Sequence, residues 1–251
     1  MRGNTGRIPL DHNVHDITVR ESFVHELVIH QQSPGKEKKE RERARFYVLS
    51  RKQYAAKRVL DLGIGFFGLL AFVLLYPFVA LGIKLSSRGP VLFKQQRTGR
   101  NGHSFTCYKF RTMHLVQRKT KGNEPDITRV GDCRIFAFGK LLRKLNLDEL
   151  PQIINVFKGN MSLVGPRPYP VKECAYWNST FNDFFYRYTI QPGITGLAQA
   201  RGYRGGTLNE EHMRKRLDYD LIYVKKCSML LDLKIIGKTL MQMIHLKTNG
   251  H

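Results

Sequence analysis

Residues 62–83 contain no charged side chain: LGIGFFGLLAFVLLYPFVALGI, 22 positions in all. As a helix at about 1.5 Å per residue, this run just spans a hydrocarbon core of roughly 30 Å. Pro77 interrupts the backbone hydrogen-bond ladder inside it, and Gly63, Gly65 and Gly68 loosen its first half. Lys57 and Arg58 precede the run, while Lys84, Arg88, Lys94, Arg97 and Arg100 follow with no acid among them. The tendency of basic flanks to stay on the cytoplasmic side applies to both ends. The pattern predicts a broken helix that dips into one leaflet and returns, in preference to a single crossing.

Upstream, residues 1–53 read as a polar tail with one apolar patch (Ile17, Val19, Phe23, Val24, Leu27) and a charge run over 36–43. Such a run is a solvated helix or a linker. The tail lacks the features of a secretory signal. Downstream, residues 90–110 predict a β-hairpin, with Asn101-Gly102 as a type I′ turn signal. Its basic residues, Lys109 and Arg111 included, are solvated strand positions, contacts to lipid headgroups or groups facing a nucleotide diphosphate, and spacing leaves these open.

Residues 114–130 read as a polar loop. Over 133–145, Ile135, Phe136, Phe138, Leu141, Leu142 and Leu145 recur at helical spacing opposite Arg134, Lys140, Arg143 and Lys144. That is a basic amphipathic helix, either packed on a soluble core or lying in a membrane interface. From 209 two further helices follow, separated near Ser228. The second is apolar enough to pack on the domain, lie on lipid or pair with another chain.

Between these elements lies Asn146-Leu147-Asp148-Glu149-Leu150-Pro151-Gln152. It reads as a helix start, with Asn146 or Asp148 as N-cap, Pro151 near the beginning and Gly159 as terminator. Acidic residues there serve ordinary capping. They also place two carboxylates where backbone N–H groups converge, a setting that lowers an aspartate's pKa and attracts phosphate. In Pro166-Arg167-Pro168 the flanking prolines stiffen the backbone, so the arginine either forks onto a phosphate or pairs with a structural carboxylate. Residues 191–206 are rich in glycine but have neither Rossmann nor P-loop spacing.

Charge sharpens the picture. Lys+Arg number 42 against 20 Asp+Glu, a formal net charge of +22, which predicts a polyanionic partner: nucleic acid, an anionic membrane or phosphorylated substrates. Cys107, Cys133, Cys174 and Cys227 are far apart and form no CxxC pair, so neither a disulfide framework nor a zinc site is indicated.

Four stretches, GPVLFKQQRTGRNGHSFTCYKFRTM (89–113), LRKLNLDELPQIINVFKGNMSLVGPRP (142–168), PGITGLAQARG (192–202) and RLDYDLIYVKKCSMLLDLKII (216–236), resemble the monotopic bacterial phosphoglycosyl transferases of the polyprenyl-phosphate sugar-phosphotransferase type. The resemblance runs from about residue 54 to the end. Departures are mild: Tyr76 stands where serine often precedes the helix-breaking proline, Asn146 where serine is usual and Asn160 where aspartate is usual.

The resemblance implies an α+β, membrane-monotopic fold: a re-entrant broken helix over 54–88, then one catalytic domain over 89–251 with a small β-hairpin and amphipathic interfacial helices. It implies that Asp148 and Glu149 are the catalytic pair. Asp148 would attack the β-phosphate of a UDP-sugar, release UMP and hold the phosphosugar for transfer to polyprenyl phosphate. Mg2+ would be held by Glu149 and Asp148. Substrate-binding roles fall on Lys109, Arg111, Arg143, Arg167, Gln199 and Asp220. The setting would be the cytoplasmic face of the bacterial inner membrane, in the first membrane step of an exopolysaccharide, capsule or O-antigen-type glycan. No nucleic acid partner is expected, a homodimer is possible, and the C-terminal part looks like relatives handling hexose 1-phosphates such as glucose or galactose. The rival readings are a membrane-tethered basic protein that binds nucleic acid or anionic lipid, and an interaction subunit that docks through its last apolar helix.

Overall fold

A computed structural model describes residues 49–115, 131–205 and 209–245, all within one compact unit spanning residues 47–251. The tail up to residue 48, with its charge run, and most of the polar loop expected at 114–130 lie outside the described residues. The described part mixes helices with two small sheets, as expected for an α+β chain.

Helix α1 runs from Arg51 to Ser86 (Arg51–Ser86). Ser50 caps it through a reciprocal box with Gln53, satisfying otherwise orphaned N–H groups. The break expected at Pro77 is absent: α1 is one continuous helix with Pro77 inside it. Tertiary packing holds the segment helical on both sides of the proline. Lys57, Asp61, Gly65, Val79 and Ile83 are buried, and Leu69 and Phe72 pack on the core from the same side. The opposite side presents Phe66, Phe67, Leu70, Leu74, Phe78, Leu81 and Leu85, all exposed. α1 thus has an apolar face turned away from the domain along most of its length.

Two of the basic flanking residues are engaged in the fold. Lys57 is buried and pairs with Asp232 at 2.6 Å, and Tyr223 donates to the same carboxylate at 2.6 Å. Arg58 donates to the carbonyls of Val156 and Phe157. Asp61 accepts from Ser162 Oγ and Leu163 N–H, both at 2.9 Å. Buried charges need such partners, so these contacts fix α1 against the rest of the fold.

The predicted hairpin is present: β1 (Leu92–Thr98) pairs antiparallel with β2 (Ser104–Phe110). Asn101 and Gly102 both have positive φ, as the type I′ turn requires. β2 is tied to the next layer by Asn155, whose side-chain amide accepts from Tyr108 N–H and donates to Thr106 O. Helix α2 (Ala137–Lys144) is shorter than the amphipathic run. Leu142 is buried beside Phe136, Phe110 and Ile83, while Lys140, Leu141 and Lys144 face outward. α2 therefore packs on the core and exposes a basic face at the same time.

Beyond α3 (Ile153–Phe157), which Gly159 terminates with φ 78°, strand β3 (Ser162–Val164) pairs in parallel with β4 (Gly193–Thr195). Gly165 and Gly193 permit this approach, since a Cβ on Gly193 would overlap Gly165 N. Helix α4 (Val171–Thr180) packs on β1, and the short α5 (Leu197–Ala200) packs on the two helices that end the described chain. Helices α6 (Glu210–Lys226) and α7 (Met229–Ile244) are capped by Asn209 and Ser228, as the sequence break near Ser228 predicts. α7 packs inward through Asp232 and Ile235 and exposes Leu230, Leu233, Lys234, Lys238, Leu240 and Met241.

Candidate active site

The acidic pair does not open an α-helix. Leu147–Gln152 is a 3-10 segment, and α3 begins only at Ile153. Pro151 explains this: an α-helix starting at Leu147 would need its missing N–H and would clash with the carbonyl four residues back. Asn146 precedes the segment in the left-handed region (φ 55°) and makes no side-chain cap bond. Asp148 and Glu149 occupy the first 3-10 turn.

Glu149 is the hub. Its Oε1 accepts from Lys109 Nζ at 2.5 Å and from Arg167 Nη2 at 2.7 Å, and its Oε2 from Arg167 Nη1 at 3.3 Å. Three separate elements converge here: β2 brings Lys109, the 3-10 segment Glu149, and the Pro-Arg-Pro stretch Arg167. Burial alone would raise Glu149, but Arg167 and Lys109 more than offset it and hold the carboxyl well below the ordinary range. The arginine's fork is thus closed on a carboxylate.

Asp148 behaves oppositely to the expectation of a helix start. Burial pushes its pKa up to about 6, and the charge of Glu149 adds to the rise against the lowering effect of Lys109, Arg143 and Arg167. The five-residue α3 supplies too little dipole to reverse this. Among the described residues no hydrogen bond reaches the half-buried Asp148 carboxylate. Arg143 donates through Nε to Thr112 Oγ1 at 2.9 Å, which leaves its terminal nitrogens for another acceptor, and its charge acts on Asp148.

The Pro-Arg-Pro stretch is fixed through its carbonyls, because the prolines have no N–H to give. Pro166 O accepts from Gly193 N–H at 3.0 Å, Arg167 O from Arg187 Nη2 at 2.6 Å, and Pro168 O from Arg97 Nη1 at 2.7 Å. Arg97 and Arg187 are buried, and neither role is legible in the residue pattern. Their partners are backbone carbonyls far along the chain, which no local spacing encodes.

The remaining expected residues lie elsewhere. Arg111 sits just beyond β2 and binds Ser87 Oγ, Ser87 O and Pro90 O at 2.6–2.7 Å, fastening the end of α1 rather than joining Lys109. Gln199 is buried, donates to Ile194 O at 3.1 Å and has an unpartnered Oε1. Asp220 is buried in α6 and pairs with Arg187 at 2.8 Å, one layer behind Arg167. None of these three contacts Asp148 or Glu149 through a hydrogen bond.

For a divalent metal, the described residues hold no cluster of three or more His, Cys, Asp or Glu. Two adjacent carboxylates fit Mg2+, which characteristically takes one or two protein oxygens and the rest from phosphates and water. The Asp148 oxygens are available, whereas those of Glu149 are already shared with two cations.

The bacterial sugar transferase family matches residues 52–246. The chain is 43% identical over 185 residues to a UDP-glucose:undecaprenyl-phosphate glucose-1-phosphate transferase of Caulobacter vibrioides, covering 73% of the chain and 67% of that protein. It is 41% identical over 177 residues to a protein of the same description from Xanthomonas campestris pv. campestris, covering 68% of the chain and 35% of that protein. It is also 36% identical over 184 residues to a UDP-N-acetylgalactosamine-undecaprenyl-phosphate N-acetylgalactosaminephosphotransferase of Aeromonas hydrophila, covering 73% of the chain and 42% of that protein. The match therefore spans about a third of the Xanthomonas relative and two thirds of the Caulobacter one.

Proposed function

The chain belongs to the bacterial sugar transferase family, and from that premise we propose that it transfers a sugar 1-phosphate from a UDP-sugar to undecaprenyl phosphate through an aspartyl intermediate. The observation that carries this reading is the Asp148 carboxylate: unbonded among the described residues, pushed up to about 6 and set beside cations already gathered by Glu149. A carboxylate of that pKa is mostly ionised at neutral pH and more basic than an ordinary aspartate, which favours attack on phosphorus.

An Asp148 oxygen attacks the β-phosphorus. The bond from that phosphorus to the bridging oxygen breaks, and UMP departs with the oxygen. A phosphate oxygen of undecaprenyl phosphate then attacks the same phosphorus, releases Asp148 and leaves a diphosphate-linked sugar on the lipid. Lys109, Arg143 and Arg167 supply positive charge around the transferred group, where most of the stabilisation of such a transition state arises. Glu149 keeps Lys109 and Arg167 in register. Asp148 and Glu149 are the residues that would hold Mg2+, which would supply charge neutralisation when bound.

The lipid substrate requires a site at headgroup depth, and α1 supports this. One end is tied through Lys57 to Asp232, the other packs Ile83 on Phe110, Phe136 and Leu142. Both ends therefore rest on the same folded body, while the outward face is apolar. Such a helix embeds from one side of the bilayer without carrying a charged domain through it. The exposed leucines of α7, interleaved with Lys234 and Lys238, suit the same interface.

The test is UMP release by the full chain in lipid, given undecaprenyl phosphate, Mg2+ and separately UDP-glucose, UDP-galactose and UDP-N-acetylgalactosamine. UMP is expected with at least one donor. Release of UDP, or of neither nucleotide with any donor, would overturn the reading.

A further inference from the structure

Arg187, in the 3-10 segment Phe184–Thr189, and Asp220, in α6, form an ion pair of 2.8 Å that is almost fully removed from solvent. The nitrogen that meets Asp220, Nη2, also donates to the main-chain carbonyl of Arg167 at 2.6 Å. The guanidinium lies 4.4 Å from the ring centroid of Tyr169 and 4.9 Å from that of Phe184, so aromatic surface limits its movement. A buried ion pair is by itself weak support for a fold, because desolvation offsets much of the attraction. This one reaches the residue whose side chain grips Glu149. Between two prolines, Arg167 has neighbours without N–H groups, so carbonyl bonds carry the task of fixing its backbone.

We propose that Arg187 is a positioning residue for the transfer reaction: held by Asp220, it fixes the Arg167 main chain so that the Arg167 fork meets Glu149 beside Asp148. This rests on the reading of Asp148 and Glu149 as the catalytic pair. It also moves Asp220 from substrate contact to support of the site from behind.

The experiment compares Arg187→Met, Asp220→Leu and the double variant in the full chain, by thermal melting and by kcat and KM of UMP release. Each single change strands a buried charge and lowers the melting temperature. The double change removes both charges in favour of apolar side chains, which restores the melting temperature. Positioning predicts that the double variant still has kcat reduced by at least about tenfold, with KM for the UDP-sugar within about threefold of the parent. Arg187→Lys provides a second route should the double variant not fold: the shorter ammonium keeps Asp220 paired but withdraws from Arg167 O, and the same kinetic losses are expected. Parental kcat in the folded double variant or in Arg187→Lys would overturn the proposal. A parent chain that releases no UMP would instead overturn the underlying functional reading.

Discussion

Arg167 closes a two-point fork on Glu149, with Nη2 2.7 Å from Oε1 and Nη1 3.3 Å from Oε2. Lys109 reaches the same carboxylate, so one member of the acidic pair takes up two cations. The other, Asp148, is left with burial and a negative neighbour, and the two side chains part in acidity. Glu149 stays an anion while Asp148 becomes a better base. The division gives each carboxylate a different part in the proposed chemistry.

This division has opposite consequences for stability. Asp148 has a folded-state pKa of about 6 against an ordinary 3.8, so the folded chain holds that proton more tightly than the unfolded one. Its contribution favours the fold below the ordinary pKa and is lost as pH rises through about 6. Glu149, held low, contributes above its ordinary 4.5 and loses that contribution as pH falls through its depressed folded value. At pH 7.5, Asp148→Asn is expected to stabilise the protein by on the order of 1–3 kcal/mol, with the gain vanishing toward acid. Glu149→Gln, which strands Lys109 and Arg167, is expected to destabilise it. Thermal melts of both variants across pH check the two signs.

The pH dependence of turnover follows from the same group. Because Asp148 attacks as the anion, kcat/KM is expected to rise with pH through about 6. Lys109 is the strongest of the neighbours that lower this pKa. Lys109→Met should therefore move the acid limb to higher pH as well as reduce the rate. A pH profile of UMP release measures both; a limb that stays in place or moves down contradicts the electrostatic account.

Membrane topology is open to direct labelling. With the native cysteines replaced, Arg51→Cys at the exposed first residue of α1 and Arg88→Cys, exposed just past its last, should react with an impermeant reagent from the same face of oriented vesicles. Labelling from opposite faces would make α1 a crossing helix.

Much of this was legible in the chain itself. The uncharged run over 62–83 announced α1, Asn101-Gly102 the hairpin turn, and Ser228 the gap between the last two helices. Lys109 and Arg167 were anticipated beside the acidic pair through the resemblance, the residue pattern alone leaving their roles open. Other features depend on contacts between distant residues. β3 and β4 are three residues each, too short to show alternation, and their pairing depends on backbone approach at Gly165 and Gly193. Lys57 read as a membrane flank but is buried against Asp232, 175 residues away. Pro77 read as a break but lies inside a continuous helix packed on both sides of it. The acidity of Asp148 was misjudged in sign because the segment read as an α-helix start is a 3-10 turn, and burial outweighs its dipole.

The central claim is that a phosphosugar resides transiently on Asp148. UDP-glucose labelled at the β-phosphorus, incubated with the protein and Mg2+ without undecaprenyl phosphate, should leave label attached to the protein. Adding undecaprenyl phosphate should discharge it to the lipid, and Asp148→Asn should take up none. Label persisting on the Asp148→Asn protein would contradict the account.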